Sequence, residues 1–97
     1  MKLDGLLKSK KMKIAALGGE EVEVFELPYG AQMAIHKSTL AEDGMEGAIT
    51  VKYALKLDEQ LQVIADSIPL ALVQEITDKL TDSGLMSITG DEEAVKN

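Results

Sequence analysis

The sequence predicts an α+β domain, an N-terminal β-hairpin followed by three to four helices. Three observations lead there. Two apolar-patterned stretches, about residues 12–17 and 21–27, flank Gly18-Gly19, as in a hairpin. Further on, Leu61, Ile64 and Ala65, then Leu72, Val73, Ile76 and Leu80, recur at helical spacing. The 97 residues are 45% apolar but include only two Tyr, one Phe and no Trp, enough for one small aliphatic core.

Taken in order, residues 1 to about 10 read as a flexible arm, since chain ends are usually poorly held. Leu3, Leu6 and Leu7 can share one helical face there, and Lys8-Ser9-Lys10-Lys11 follows as a basic link. In the hairpin, the Gly pair supplies positive φ. Two registers compete. A two-residue turn sets Ile14 against Glu23 and Met12 against Phe25. A three-residue loop sets Ile14 against Val24 and Ala16 against Val22. The second gives one clean apolar face and is preferred, because a one-residue slip inverts every side chain. Leu27-Pro28-Tyr29-Gly30 reads as the exit turn. A helix over about 30–40 then carries Ala31, Met33, Ala34, Ile35 and Leu40, and Ala41–Gly44 breaks it.

Residues 45–57 support two readings. Ile49, Val51, Tyr53, Leu55 and Leu57 alternate as in a strand, while Ala48, Val51, Ala54 and Leu55 make a helical stripe. Periodicity alone favours the strand. A helix over about 43–56 is the expectation because the resemblance described below implies one, with a third strand at 49–57 as the alternative. The next helix, about 58–66, starts with Asp58 as cap and Glu59 in its first turn. The last, about 68–82, is the best punctuated, and the core is expected to build against it. Asp66 or Ser67 caps it, Pro69 sits just inside its start, and Gly84 ends it in a left-handed conformation. Leu85, Met86 and Ile88 can pack back once, and about 87–97 is an acidic tail.

Composition narrows the function. A formal net charge of −7 repels phosphate backbones and argues against nucleic-acid binding. Cysteine is absent, which removes disulfides, thiolate catalysis and zinc–thiolate sites. The N-terminus does not read as a signal peptide, no apolar run is long enough to span a bilayer, and the expected location is the cytoplasm. His36 is the single histidine and has no evident partner for acid–base work. The carboxylate clusters at 20–26, 42–46, 58–59 and 91–93 lack the spacing of a calcium loop and read as solvated faces. Gly18-Gly19 lacks the Gly-Lys-Ser/Thr of a phosphate loop. No catalytic, cofactor-binding or metal-binding residue is therefore assigned, and the chain reads as a non-enzymatic binding module.

The order of elements carries a resemblance. A Leu/Lys arm leads into a strand–Gly turn–strand ending in Phe25-Glu26-Leu27. A helical middle follows, then Leu57-Asp58-Glu59, the junction Ser67-Ile68-Pro69, and a terminal helix closing on Ser83-Gly84-Leu85. Over roughly residues 5–86 this resembles the tail assembly chaperones of long-tailed bacteriophages and prophages. The resemblance implies a non-catalytic, self-associating factor that binds the tape measure protein, helps recruit tail tube protein, and is absent from the mature virion. It also implies that a longer form can arise by ribosomal frameshifting, this chain being the short one. A chaperone of a helical partner needs apolar stripes that the partner can meet. Leu72, Val73, Ile76 and Leu80, if that face is only partly buried, and Leu3, Leu6 and Leu7 are the candidate contacts. The alternative is a small acidic regulator that occupies a basic or DNA-binding partner.

Overall fold

A computed structural model describes residues 5–85. It is an α+β globule in which an antiparallel hairpin precedes four helices. Strands β1 (Ser9–Ile14) and β2 (Glu20–Phe25) are joined by a 3₁₀ turn, Ala15–Leu17, and the helices are α1 (Tyr29–Ala41), α2 (Glu46–Ala54), α3 (Leu61–Ser67) and α4 (Leu70–Asp82).

The hairpin differs from both expected registers. Met12 pairs with Val22, Lys10 with Val24 and Ile14 with Glu20, so five residues rather than two or three make the turn. Ala16 lies in the 3₁₀ turn, not in a strand. The partner of Ile14 moves four residues from the preferred register, from Val24 to Glu20, an even slip, so the faces are kept. Ile14 and Val24 are buried inward with Met12 and Val22 partly covered. Outward, Lys11 faces Glu23 and Lys13 faces Glu21, two directly opposed pairs of opposite charge.

The turn is held by a residue sixty positions away. Ile14 precedes the 3₁₀ turn and offers no side-chain oxygen to its first amides. The Glu75 carboxylate of α4 takes that place, accepting the Ala15 amide at 2.7 Å and the Ala16 amide at 2.8 Å. Gly18 and Gly19 then close the turn at φ 75° and 81°, with the Gly19 amide donating to the Ile14 carbonyl at 2.9 Å. At the other end of the contact, Lys10 Nζ donates to the Ser83 carbonyl at the end of α4, at 2.9 Å.

The helical reading of residues 45–57 holds, and no strand forms at 49–57. Ala48, Ile49, Thr50, Val51 and Ala54 are all buried on α2. A helix buried on so many sides is central, and α2 packs on α1, α3, α4 and β2. The core was expected to build against the last helix. Leu72, Ile76 and Leu80 of α4 do form one wall of it, but α2 is the element that reaches most of the others. The approach of α2 and α4 is close at Gly47, where a Cβ would lie 2.7 Å from Val73 Cγ1.

Several helix starts are displaced from the expected caps. Pro69 is the N-cap of α4 rather than its first residue, and neither Asp66 nor Ser67 caps it. Both belong to α3, where Asp66 accepts a bond from Gln62 Nε2 at 3.0 Å. Pro69 keeps Ile68 extended, and this ends α3. Asp58 caps nothing; α3 begins at Leu61 after Gln60. The loop before it is tied instead by Lys52 Nζ, which donates to the Leu57 and Glu59 carbonyls at 3.0 and 2.6 Å. Helix α2 begins at Glu46, not 43, because Asp43 serves the junction. Its carboxylate accepts from the Ser38 hydroxyl, and both groups accept the Met45 amide at 3.1 Å. The expected Gly84 terminator is present at φ 80°, with the Leu85 amide on the Leu80 carbonyl at 3.0 Å and Leu85 buried. Of the expected arm at 1–10, residues 1–4 lie outside the described residues, and Ser9 and Lys10 are already in β1; the expected tail at 87–97 lies wholly outside them.

Two predictions follow from this packing. Gly47→Ala gains about 1 kcal/mol of helix propensity but overpacks Val73, a β-branched side chain with little rotamer freedom, at about 1–3 kcal/mol. It should lower unfolding free energy in urea titrations by about 1 kcal/mol, and in a Val73→Ala background the same substitution should stabilise. Glu75 titrates below its ordinary value of 4.5, chiefly because of the Ala16 amide, then the Ala15 amide; partial burial opposes this and the Lys79 charge assists. A depressed folded pKa means the carboxylate's contribution is complete above its unfolded value and is lost as pH falls through the folded one. Thermal melts should therefore show wild type losing stability below about pH 4.5. Glu75→Gln should be less stable at neutral pH and fall less steeply with acid.

Candidate interaction surface

The seven residues singled out as partner contacts separate by location. Leu72, Ile76 and Leu80 are 4, 0 and 0% exposed, so the condition of a partly buried face is not met for them in the monomer. They are core. Val73 is half-buried beside Gly47. Leu6 is exposed, Leu7 is half-buried, and Leu3 lies outside the described residues. Leu7 lines a shallow depression of about 280 Å³ with Pro28, Tyr53 and Leu57. The six that are described are thus not brought together into one surface.

A different apolar surface is present on α1. Its inner side, Ala31, Ala34, Ile35 and Ser38, turns toward α2 and the core. Tyr29, Met33 and Leu40 recur at i, i+4 and i+11, within about 40° of one another around a helix of 3.6 residues per turn. Their exposures are 78, 39 and 71%. They make a stripe about 16 Å long at 1.5 Å rise per residue. His36 lies between them on the same side. Helix α1 contains no Asp or Glu, and Lys37 is its one lysine. A carboxylate-free apolar helix face on a chain of net charge −7 is a local reversal of the protein's surface character.

Scattered exposed apolar residues are ordinary, but three aligned along one helix form a patch. The sequence hides it: Leu27-Pro28-Tyr29-Gly30 reads as an exit turn, and Met33 and Leu40 share their helix with the inward Ala31, Ala34 and Ile35. Extending the helix one residue back to Tyr29 reveals the spacing. Two further exposed apolar residues, Val63 and Leu70, border shallow grooves of about 250 and 390 Å³ around the α3–α4 junction.

Among the described residues, no group of three or more His, Asp or Glu is placed to hold a metal ion, and no helix is long and apolar enough to cross a membrane. His36 is exposed, not enclosed in a cleft. Comparison with family models, with curated proteins and with solved structures returns no match to this chain.

Core and surface stripe should be separable by stability. Leu72→Ala or Ile76→Ala should lower unfolding free energy by about 2–5 kcal/mol, as expected for large-to-small substitutions in a core. Tyr29→Ser and Leu40→Ser should change it by about 0.5 kcal/mol or less, as at exposed positions. Urea denaturation of the four variants checks both.

Proposed function

We propose that this chain is a non-catalytic tail assembly chaperone of a phage or prophage, acting in the bacterial host cytoplasm and absent from the mature virion. In this reading it binds the tape measure protein, shields its apolar helical surface, and helps recruit tail tube protein. The observation that supports the reading most is the α1 stripe. Tyr29, Met33 and Leu40 offer apolar anchors at the spacing a partner helix can meet. The net charge of the rest keeps such a complex soluble. The element order resembling that family supports it independently of the stripe. Self-association belongs to the same proposal.

The test is co-expression with a tape measure protein and size-exclusion chromatography at about 1 M salt, where the Debye length is about 3 Å and charge attraction is screened. Wild type should hold the partner in a soluble complex. Tyr29→Ser/Leu40→Glu, still folded by far-UV circular dichroism, should lose at least about tenfold in affinity, the scale of one or two buried apolar anchors. Failure of wild type to retain the tape measure protein, with salt-sensitive capture of a basic or DNA-binding partner instead, would replace this reading with that of an acidic regulator.

A further inference from the structure

Among the described residues the hairpin is a sheet of only two strands, so each strand has an edge that no other described strand pairs. The Glu26 amide donates to the Lys8 carbonyl at 2.9 Å, and the antiparallel alternation follows from that pair. Lys10–Val24, Met12–Val22 and Ile14–Glu20 bond inward across the hairpin. The backbone groups of Ser9, Lys11 and Lys13 therefore point outward from β1, and those of Glu21, Glu23 and Phe25 outward from β2. Among the described residues, no backbone hydrogen bond from outside the hairpin reaches Lys11, Lys13, Glu21 or Glu23. All four residues are exposed.

The two edges carry opposite charge. The β1 edge presents Lys11 and Lys13, the β2 edge Glu21 and Glu23. Pairing β1 with β1, or β2 with β2, sets like charges about 4.8 Å apart and is disfavoured. Pairing β1 of one copy with β2 of the next continues the antiparallel sheet and alternates lysine and glutamate columns strand by strand. We propose that copies of this chain associate head to tail through these edges, β1 of one copy pairing with β2 of the next. Lys56 Nζ lies 4.2 Å from the Phe25 ring centroid and brings positive charge to that end of β2, so the complementary pairing with the lysines of β1 uses the Glu21–Glu23 end.

Such an interface is heterologous and yields a ring or an open helix. Curvature is imposed by shape. Two strands span about 10 Å of sheet, whereas the smallest extent of the molecule is 30 Å. Neighbouring helical layers would collide on a flat sheet, so the assembly bends with the hairpins inside and the helices outside. This inference rests on the self-association in the reading above, but not on which partner the assembly binds.

Sedimentation velocity across a concentration series, at low and high salt, tests it. Wild type should grow in mass with concentration and shrink with salt. Lys11→Pro removes one outward amide and no inward ladder bond, a change that edge strands tolerate. It should stay monomeric with an unchanged circular dichroism spectrum. Should that variant not fold, Lys11→Gln/Lys13→Gln serves in its place, with association about tenfold weaker and its salt dependence lost. The fourfold exchange K11E/K13E/E21K/E23K keeps every cross-strand pair and should assemble like wild type. Undiminished assembly of Lys11→Pro or of the glutamine pair would overturn the edge pairing while leaving self-association standing. A wild type that remains monomeric at every concentration would overturn both, and binding to a tape measure protein would still be read separately through the α1 variants.

Discussion

The bond between the Glu75 carboxylate and the amides of Ala15 and Ala16 is the constraint on which the N-terminal half depends. A two-stranded hairpin is marginal in water by itself. This one ends in a 3₁₀ turn whose first amides point away from the ladder and have no local acceptor, since Ile14 occupies the capping position. Glu75 meets two of them at once from α4, and Lys10 returns a bond from β1 to the end of the same helix. The hairpin is thereby held along α4 at both ends, with Ile14 and Val24 against the core and the lysine–glutamate ladder facing out.

The C-terminal half is organised differently, by apolar volume around α2. That helix is short, nine residues, and could not persist alone in water. Its Ala48, Val51 and Ala54 let α1 and α4 come close, and Gly47 removes the last side chain between α2 and Val73. Polar groups around it are met locally. The buried Thr50 hydroxyl donates to the Glu46 carbonyl at 2.9 Å, and Ser38 and Asp43 together satisfy the Met45 amide. Helix α1 packs against this hub mainly through one side, and its opposite side has no neighbour among the described elements. The exposed stripe is thus a consequence of α1 lying at the periphery.

What could be read from the sequence follows the range of the forces involved. Core faces depend on spacing within one element, and Leu72, Ile76, Leu80 and Ile64 are legible as periodic positions. Helix α2 is not: burial on several sides leaves Ile49, Val51, Tyr53 and Leu55 alternating as in a strand, and its helical state is expected only from the resemblance. The hairpin faces were legible from spacing, because any even slip preserves them. Its register was not, since the five-residue turn is stabilised by Glu75, whose contribution no window around Gly18-Gly19 contains. Cap positions failed where two elements compete for one segment. Asp66 and Ser67 have the chemistry of a cap for α4, but α3 claims both, and Pro69 then sets the boundary. Helix ends at Glu42 and Lys56 were also obscured, because non-glycine residues occupy left-handed conformations there at φ 54° and 53°, held by bonds from the Asp43 and Leu57 amides. For the candidate surface, the apolar content of α1 was visible, but which of its sides faces α2 is a tertiary fact.

The placement of charge links the two surfaces left open. Net charge of −7 would oppose association of copies if it were spread evenly. It is not spread evenly. The hairpin balances four lysines, at 8, 10, 11 and 13, against four glutamates, at 20, 21, 23 and 26, and α1 carries no carboxylate at all. The acidic excess of the described residues lies elsewhere, in α3, α4 and the loops beside α2. Repulsion is therefore weakest at the two places with unused bonding capacity, the strand edges and the apolar stripe. These belong to separate elements, one anchored on α4 and the other on α2. Copies joined through their hairpins would keep every α1 stripe available, repeated at the spacing of the subunits. A long helical partner could then be met at many points, and the number of copies would add to the affinity that each apolar patch supplies by itself.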